Sequence, residues 1–182
     1  YSGFSTSNYL EQPYNPDLNF GAYTGTAGTG DFCVMGWVKT ANNSFDGIFH
    51  RSSVKENTSG LRLASTNTMR LELRNDTALV TYVDNFTSAD TWTFVVASRS
   101  SGVAYLYVNG VEQASASFTD DVSDVGATTL LGQYYQSGAP AAPIPALTLL
   151  RISATAPTAD QIRKIYEDEK VLFQPNAKAT LT

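Results

Sequence analysis

One cysteine, Cys33, and one histidine, His50, are all that the 182 residues hold of those two types. A lone thiol closes no disulfide within the chain, and one Cys with one His cannot supply the usual zinc ligand set. Any Ser-His-Asp or Cys-His arrangement would have to pass through His50, and no serine stands in a Gly-x-Ser-x-Gly elbow. Charge is also scarce, at 16% of the chain, and 12 scattered Lys and Arg against 17 Asp and Glu leave a net charge of −5. That balance excludes a nucleic-acid partner, which draws on clustered basic residues. No apolar run approaches the ~18–20 residues that span a bilayer, and no signal-peptide pattern opens the chain. Cys33 lies in an apolar pattern and is expected to be a buried thiol. His50 is expected to be a strand residue with a satisfied hydrogen bond.

What is abundant is sheet material. Hydrophobic residues make up 42% of the chain, with 10 Tyr and 9 Phe. A domain of this size can bury roughly 68–75% of its unfolded surface, so it needs no staples. The clearest stretch is Thr91–Ala116, three consecutive antiparallel strands. Thr91, Thr93, Val95 and Ala97 alternate with Trp92, Phe94 and Val96, so both faces are largely apolar. Ser100–Gly102 turns the chain. Val103, Tyr105 and Tyr107 then alternate with Ala104, Leu106 and Val108 up to Asn109-Gly110, a type I′ hairpin signal, and a strand restarts at Val111.

Elsewhere, Tyr9-Leu10 reads as a short strand, Gly21–Gly30 as a permissive loop carrying Tyr23, and Asp31–Thr40 as a central strand with Trp37 in the core. Ile48–Arg51 is the next strand. Leu61 and Leu63 alternate with Arg62, and Met69, Leu71 and Leu73 with Arg70, Glu72 and Arg74, the pattern of a sheet with one wet face. Asn75-Asp76 turns into Leu79–Val83. Thr128–Gly132 and Ala146–Ser153 are further strands, separated by a long loop, Gln133–Pro145. Two adjacent rings there, Tyr134 and Tyr135, cannot both enter a core from an extended segment, so at least one is expected to be exposed. Thr158 and Gln161 form a capping box, and Ile162, Ile165, Tyr166, Leu172 and Phe173 make a helical stripe that Pro175 stops. Glu167-Asp168-Glu169 reads as a solvated face. About ten short strands plus one helix predict an all-β, two-sheet antiparallel jelly-roll sandwich with one short C-terminal helix. With neither repeats nor a second composition regime, residues 1–182 are expected to form one domain, cut from a longer protein and ending in a 174–182 tail.

The succession Tyr9-Leu10, Leu18-Asn19-Phe20, Gly30-Asp31-Phe32, Trp37-Val38-Lys39, Asp90-Thr91-Trp92, Leu106–Gly110, Leu131-Gly132 and Arg151-Ile152 before Ile162 and Tyr166 resembles the LamG-like, concanavalin A-like lectin/glucanase superfamily. The run from Ile162 to Thr182 further resembles LamG-like domains of tailed-bacteriophage virion proteins. Against that family's compact linker, Ala22–Thr29 is an insertion. The resemblance implies a carbohydrate-binding or receptor-contacting module in a virion, an extracellular particle, and the missing catalytic constellations make a non-enzymatic module the expectation. It also implies possible partners: a glycan or cell-surface receptor, neighbouring virion subunits, or further copies of the chain in a homo-oligomer. Glucanases of this fold resemble one another in a Glu-x-Asp-x-Glu strand that sets two carboxylates ~5–5.5 Å apart. No such strand occurs here.

A sugar surface needs an aromatic ring for the apolar pyranose face and fixed polar groups for its hydroxyls. Tyr134, Tyr135 and Gln136 offer both, with Arg51, Arg74, Asn85 and Tyr23 as further candidates; alternatively, the tyrosines pack on a neighbouring loop or a partner chain. Many LamG-like domains hold calcium at the sandwich rim. The candidate oxygens here belong to Asp46, Asp84, Asn85, Asp120, Asp121 and Asp124, with a plain acidic turn as the competing reading of Asp120–Asp124. Sequons at Asn42, Asn57, Asn75 and Asn85 carry meaning only in a secretory pathway. The rival to a sugar-binding module is a virion assembly module that binds protein alone.

Overall fold

The structure, a computed structural model, describes residues 1–19, 30–39, 46–53, 60–65, 68–75, 77–84, 91–119, 122–136, 139–141, 144–174 and 177, with backbone alone at 46, 60–65, 68, 73–75, 77–84, 136 and 139–141. Thirteen strands are formed among them: β1 (Leu10–Gln12), β2 (Phe32–Lys39), β3 (Asp46–Ser52), β4 (Gly60–Ser65), β5 (Thr68–Asn75), β6 (Thr77–Asp84), β7 (Thr93–Ser100), β8 (Val103–Val108), β9 (Val111–Ser117), β10 (Thr128–Leu131), β11 (Tyr134–Gln136), β12 (Ala139–Ala141) and β13 (Ala146–Ser153). One antiparallel sheet runs β1-β10-β3-β4-β5-β6 and the other β13-β2-β7-β8-β9, with β11 and β12 forming a separate ribbon. This is the two-sheet sandwich expected from the alternation.

The five-stranded sheet is a middle layer, which explains why β2 and β7 are apolar on both faces. Phe32, Val34 and Val38 of β2, with Val95 and Ala97 of β7, meet Ile48, Phe49, Met69 and Leu71 of the opposite sheet. The alternate residues Cys33, Met35, Trp37, Phe94 and Val96 lie on the other face, under the helix α1 (Ala159–Glu169) and its buried Ile162. Period-two alternation thus feeds two cores from one strand. Burial pushes the Cys33 thiol up to about 12. At pH 8 the folded protein should therefore react with iodoacetamide at least roughly a hundredfold more slowly than the protein in urea, by mass spectrometry, because only the thiolate attacks. Equal rates would place Cys33 at the surface.

The hairpin at Asn109-Gly110 has the expected double positive φ, 50° and 78°, the type I′ geometry. Gly110 is needed twice over, because a Cβ there would stand 3.1 Å from the Tyr166 ring. The capping box forms as expected: Thr158 N donates to Gln161 Oε1 at 2.8 Å and Gln161 N to Thr158 Oγ1 at 3.3 Å.

Four expectations need correction. The stretch read as a loop, Gln133–Pro145, contains the β11–β12 ribbon. Trp92 precedes β7 and is not part of it. The helix ends at Glu169 and continues as a 3₁₀ turn through Phe173, which leaves Leu172 of the expected apolar stripe 59% exposed. A tighter turn has three residues per repeat, so a stripe spaced for 3.6 does not survive into it. Finally, Glu169 is no solvated residue: its Oε2 accepts from Trp37 Nε1 at 2.8 Å, and its Oε1 from Arg151. Glu167 and Asp168 do face solvent, paired with Lys170 and Lys164.

Candidate functional site

Tyr134 and Tyr135 are both buried, at 1% and 4% exposure, against the expectation that one would be free. Their side chains do diverge from the extended ribbon, as the pleat requires, but both sides of the ribbon are covered. Tyr134 lies over β3 at Gly47, where any Cβ would come within 2.5 Å of the Gln133 carbonyl carbon and 2.8 Å of the Tyr134 ring. Tyr135 turns toward the N-terminal segment. Burial, the Glu11 carboxylate, Tyr9 and a hydrogen bond with Tyr9 all push its phenol above the ordinary range. Between them His50 meets both rings edge-on, with centroids 6.4 and 6.3 Å away, and accepts a hydrogen bond from Tyr135 N on Nδ1 at 3.1 Å. His50 is thus the satisfied strand residue expected. Neither tyrosine offers a face to a sugar in this arrangement.

Arg51 is likewise interior, at 1% exposure, and so is not the sugar contact expected of it. It donates to the Leu18 carbonyl at 3.2 Å, to Asn19 Oδ1 and to the Val122 carbonyl. Asn19 Oδ1 also accepts from Asp124 N at 2.8 Å, and Asp124 Oδ2 accepts from Ser53 N at 2.7 Å. Asp124 therefore fastens the turn before β10 to the end of β3. Among the described residues no three His, Cys, Asp or Glu side chains gather as metal ligands. Tyr23, Asn85, Asp120 and Asp121 lie outside the described residues, as do the side chains of Gln136, Arg74, Asp46 and Asp84.

What the fold does assemble is the outward face of the six-stranded sheet. Leu71 of β5 is inside the sandwich, so Arg70 and Glu72 are on the opposite face. Arg70 Nη1 stands 3.1 Å from Glu72 Oε1, with side-chain exposures of 20% and 2%. Register places Arg62 directly across from Glu72, with His50 beyond it, and puts Arg74 two residues along β5 from Glu72. The backbone register thus brings four positions, His50, Arg62, Glu72 and Arg74, into one neighbourhood of the sheet, with the tyrosine ribbon over β3 at its His50 end. A bidentate guanidinium suits vicinal hydroxyls or a carboxylate.

Two openings lie on the other side of the molecule. A groove of about 560 Å³ runs between the end of β13 and α1, floored by Met35 and Ile165, and no aromatic ring is among its described lining residues. A cleft of about 270 Å³ lies beside the start of α1, lined by the partly buried Tyr105 with the buried Tyr107 behind it.

Comparison with known proteins agrees with this architecture. The family model described as the concanavalin A-like lectin/glucanases superfamily matches residues 11–163. No curated protein matches the chain in sequence. Among solved structures, the CBM40 of the Ruminococcus gnavus IT-sialidase, bound to α2,3-sialyllactose, aligns at TM-score 0.67 and 18% identity over 88% of this chain and 97% of that one. The botulinum neurotoxin serotype D binding domain aligns at TM-score 0.65 and 18% identity over 92% of this chain and 41% of that one. A SAP-like pentraxin of Limulus polyphemus aligns at TM-score 0.57 and 15% identity over 76% and 70%. At such identities the likeness is one of fold. With the family model covering most of its length, the chain belongs to the concanavalin A-like lectin/glucanase superfamily.

Proposed function

We propose that this domain is a non-catalytic, glycan-contacting module that binds through the outward face of β4, β5 and β6. The observation that carries the reading is the Arg70–Glu72 pair on the face of β5 away from the core, where a buried Glu72 carboxylate holds the partly exposed Arg70 guanidinium, with Arg62 and Arg74 at flanking register positions. The fold neighbours support it: one is a carbohydrate-binding module seen with a sialylated sugar, another a toxin's binding domain. The carboxylates of Glu167, Asp168 and Glu169 diverge to separate cationic partners, which supports binding without hydrolysis. The phage-like ending of the chain supports a place in a virion protein that contacts a host surface.

A glycan array tests this. The domain should retain a defined subset of glycans, and Arg70→Ala should weaken that binding roughly tenfold or more, the worth of a charged hydrogen bond. Arg74→Ala, in the same row, should weaken it in the same sense. Should Arg70→Ala prove unstable, because it leaves Glu72 buried, Arg74→Ala carries the test alone. Binding that ignores both substitutions contradicts the proposed face. A second reading, an assembly module that binds protein, is favoured by the adjacent exposed Val171 and Leu172, at 57% and 59%. A stable oligomer in sedimentation, with no glycan retained, would decide for it.

A further inference from the structure

The outer face of β7 changes character along its length. Phe94 and Val96 lie under α1, whereas Ser98 and Ser100, next on the same face, extend beyond the start of the helix and line the cleft of about 270 Å³. Across the sheet Ser98 is paired with Tyr105, and Val96 with Tyr107, which in turn pairs with Glu112 of β9. The rings of Tyr105 and Tyr107 stack at 6.2 Å and 29°. Tyr107 is buried at 5% exposure behind the half-buried Tyr105, so the outer ring is backed by the inner one. Pro157, Thr158 and Ala159 close the remaining wall.

We propose that this cleft is a second binding site, separate from the β4–β6 face, and that it takes a single neutral pyranose ring. The chemistry is specific. Tyr105 supplies an aromatic surface for the C–H face of the ring, the Glu112 carboxylate accepts from two adjacent hydroxyls, and the serine hydroxyls both donate and accept. Charge sets the ligand class, because Glu112 is the one carboxylate among the described lining residues and no lysine or arginine is among them. At the helix start the capping box takes up the N–H groups of Thr158 and Gln161, and the first turn carries the Asp160 carboxylate. An acidic sugar is therefore repelled here, while a neutral one is not. Burial, followed by the neighbouring Glu112 carboxylate, holds the Tyr107 phenol above its ordinary range, so it stays a hydrogen-bond donor at neutral and mildly basic pH.

The test uses the domain and the methyl glycosides of glucose, galactose, mannose and N-acetylglucosamine, with N-acetylneuraminic acid as the acidic comparator, followed by amide NMR shifts. At least one neutral glycoside should produce saturable shifts centred on residues 98–107, 158 and 159, and the acid none there. Glu112→Gln, an exposed isosteric change, should weaken that binding roughly tenfold. Tyr105→Ala should abolish it, and Tyr105→Phe, which keeps the ring, should preserve it. The proposal is overturned if no neutral glycoside moves these amides, if the acid moves them equally, or if Glu112→Gln binds as tightly as the parent. Failure here leaves the β4–β6 face intact as a proposal, because array binding follows Arg70 and these shifts follow Glu112.

Discussion

Trp37→Ala should destabilise the domain by about 3–5 kcal/mol, the cost of truncating a buried aromatic, and lower its melting temperature by roughly 10 °C. Trp37 joins the middle sheet to α1 and the 3₁₀ turn that follows it. Its ring stacks on Phe173 at 4.1 Å and on Tyr166 at 5.8 Å, and meets Phe94 at 5.4 Å. Its indole N–H ends on Glu169, the same carboxylate that Arg151 holds from β13. Removing the ring therefore opens a cavity beneath the helix and leaves its C-terminal end held by the Arg151–Glu169 pair and by the Phe94–Tyr166 and Trp92–Phe173 ring contacts. Trp37→Phe keeps most of the packing and forfeits the hydrogen bond, so it should cost about 1–3 kcal/mol. Urea unfolding followed by circular dichroism measures both. A loss below about 1 kcal/mol for the alanine variant would mean that the helix does not depend on this contact.

Arg51→Leu should be nearly as damaging, at about 3 kcal/mol or more, because three acceptors lose a charged donor in a water-excluded place. Those acceptors belong to two separate parts of the chain, the Leu18-Asn19 segment and the turn at Val122, which Arg51 ties to β3. Arg51→Lys should recover little of this, since a single ammonium cannot replace a guanidinium that donates in several directions. The same variants separate two roles. An arginine that contacts sugar would leave stability unchanged and reduce glycan retention, whereas the interior tie found here reduces stability first. Thermal unfolding of Arg51→Lys beside its array profile reads this directly, and unchanged stability with lost binding would contradict the placement.

How much of this was legible in the sequence follows from how local each signal is. The β7–β8–β9 block was readable because its alternation and its Asn-Gly turn are properties of neighbouring residues, and the capping box of α1 is equally short-range. The apolar character of both faces of β2 correctly marked a central strand, although nothing in that segment announces that one face meets a sheet and the other a helix. The Tyr134-Tyr135 expectation failed for a non-local reason. Adjacent residues on an extended strand do point apart, but the N-terminal segment around Tyr9 and Glu11 returns to cover the second side. Arg51 shows the same limit: at the end of the Ile48–Arg51 strand it reads as a polar candidate for a sugar contact, and only the folded chain brings Leu18, Asn19 and Val122 to it. Glu169 left a usable clue, since a buried tryptophan needs an acceptor for its N–H. The Arg70–Glu72 face was visible as the polar half of an alternating strand, and its register with Arg62 became visible only once the strands were paired.

The most direct measurement is a crystal structure of the domain grown with the oligosaccharide that the array ranks first. The account predicts sugar density on the outward face of β4, β5 and β6, within hydrogen-bonding distance of Arg70, and His50 still edge-on to both ribbon tyrosines. Density held by Tyr134 or Tyr135 turned out of the protein, or sugar with its glycosidic bond cleaved, would contradict it.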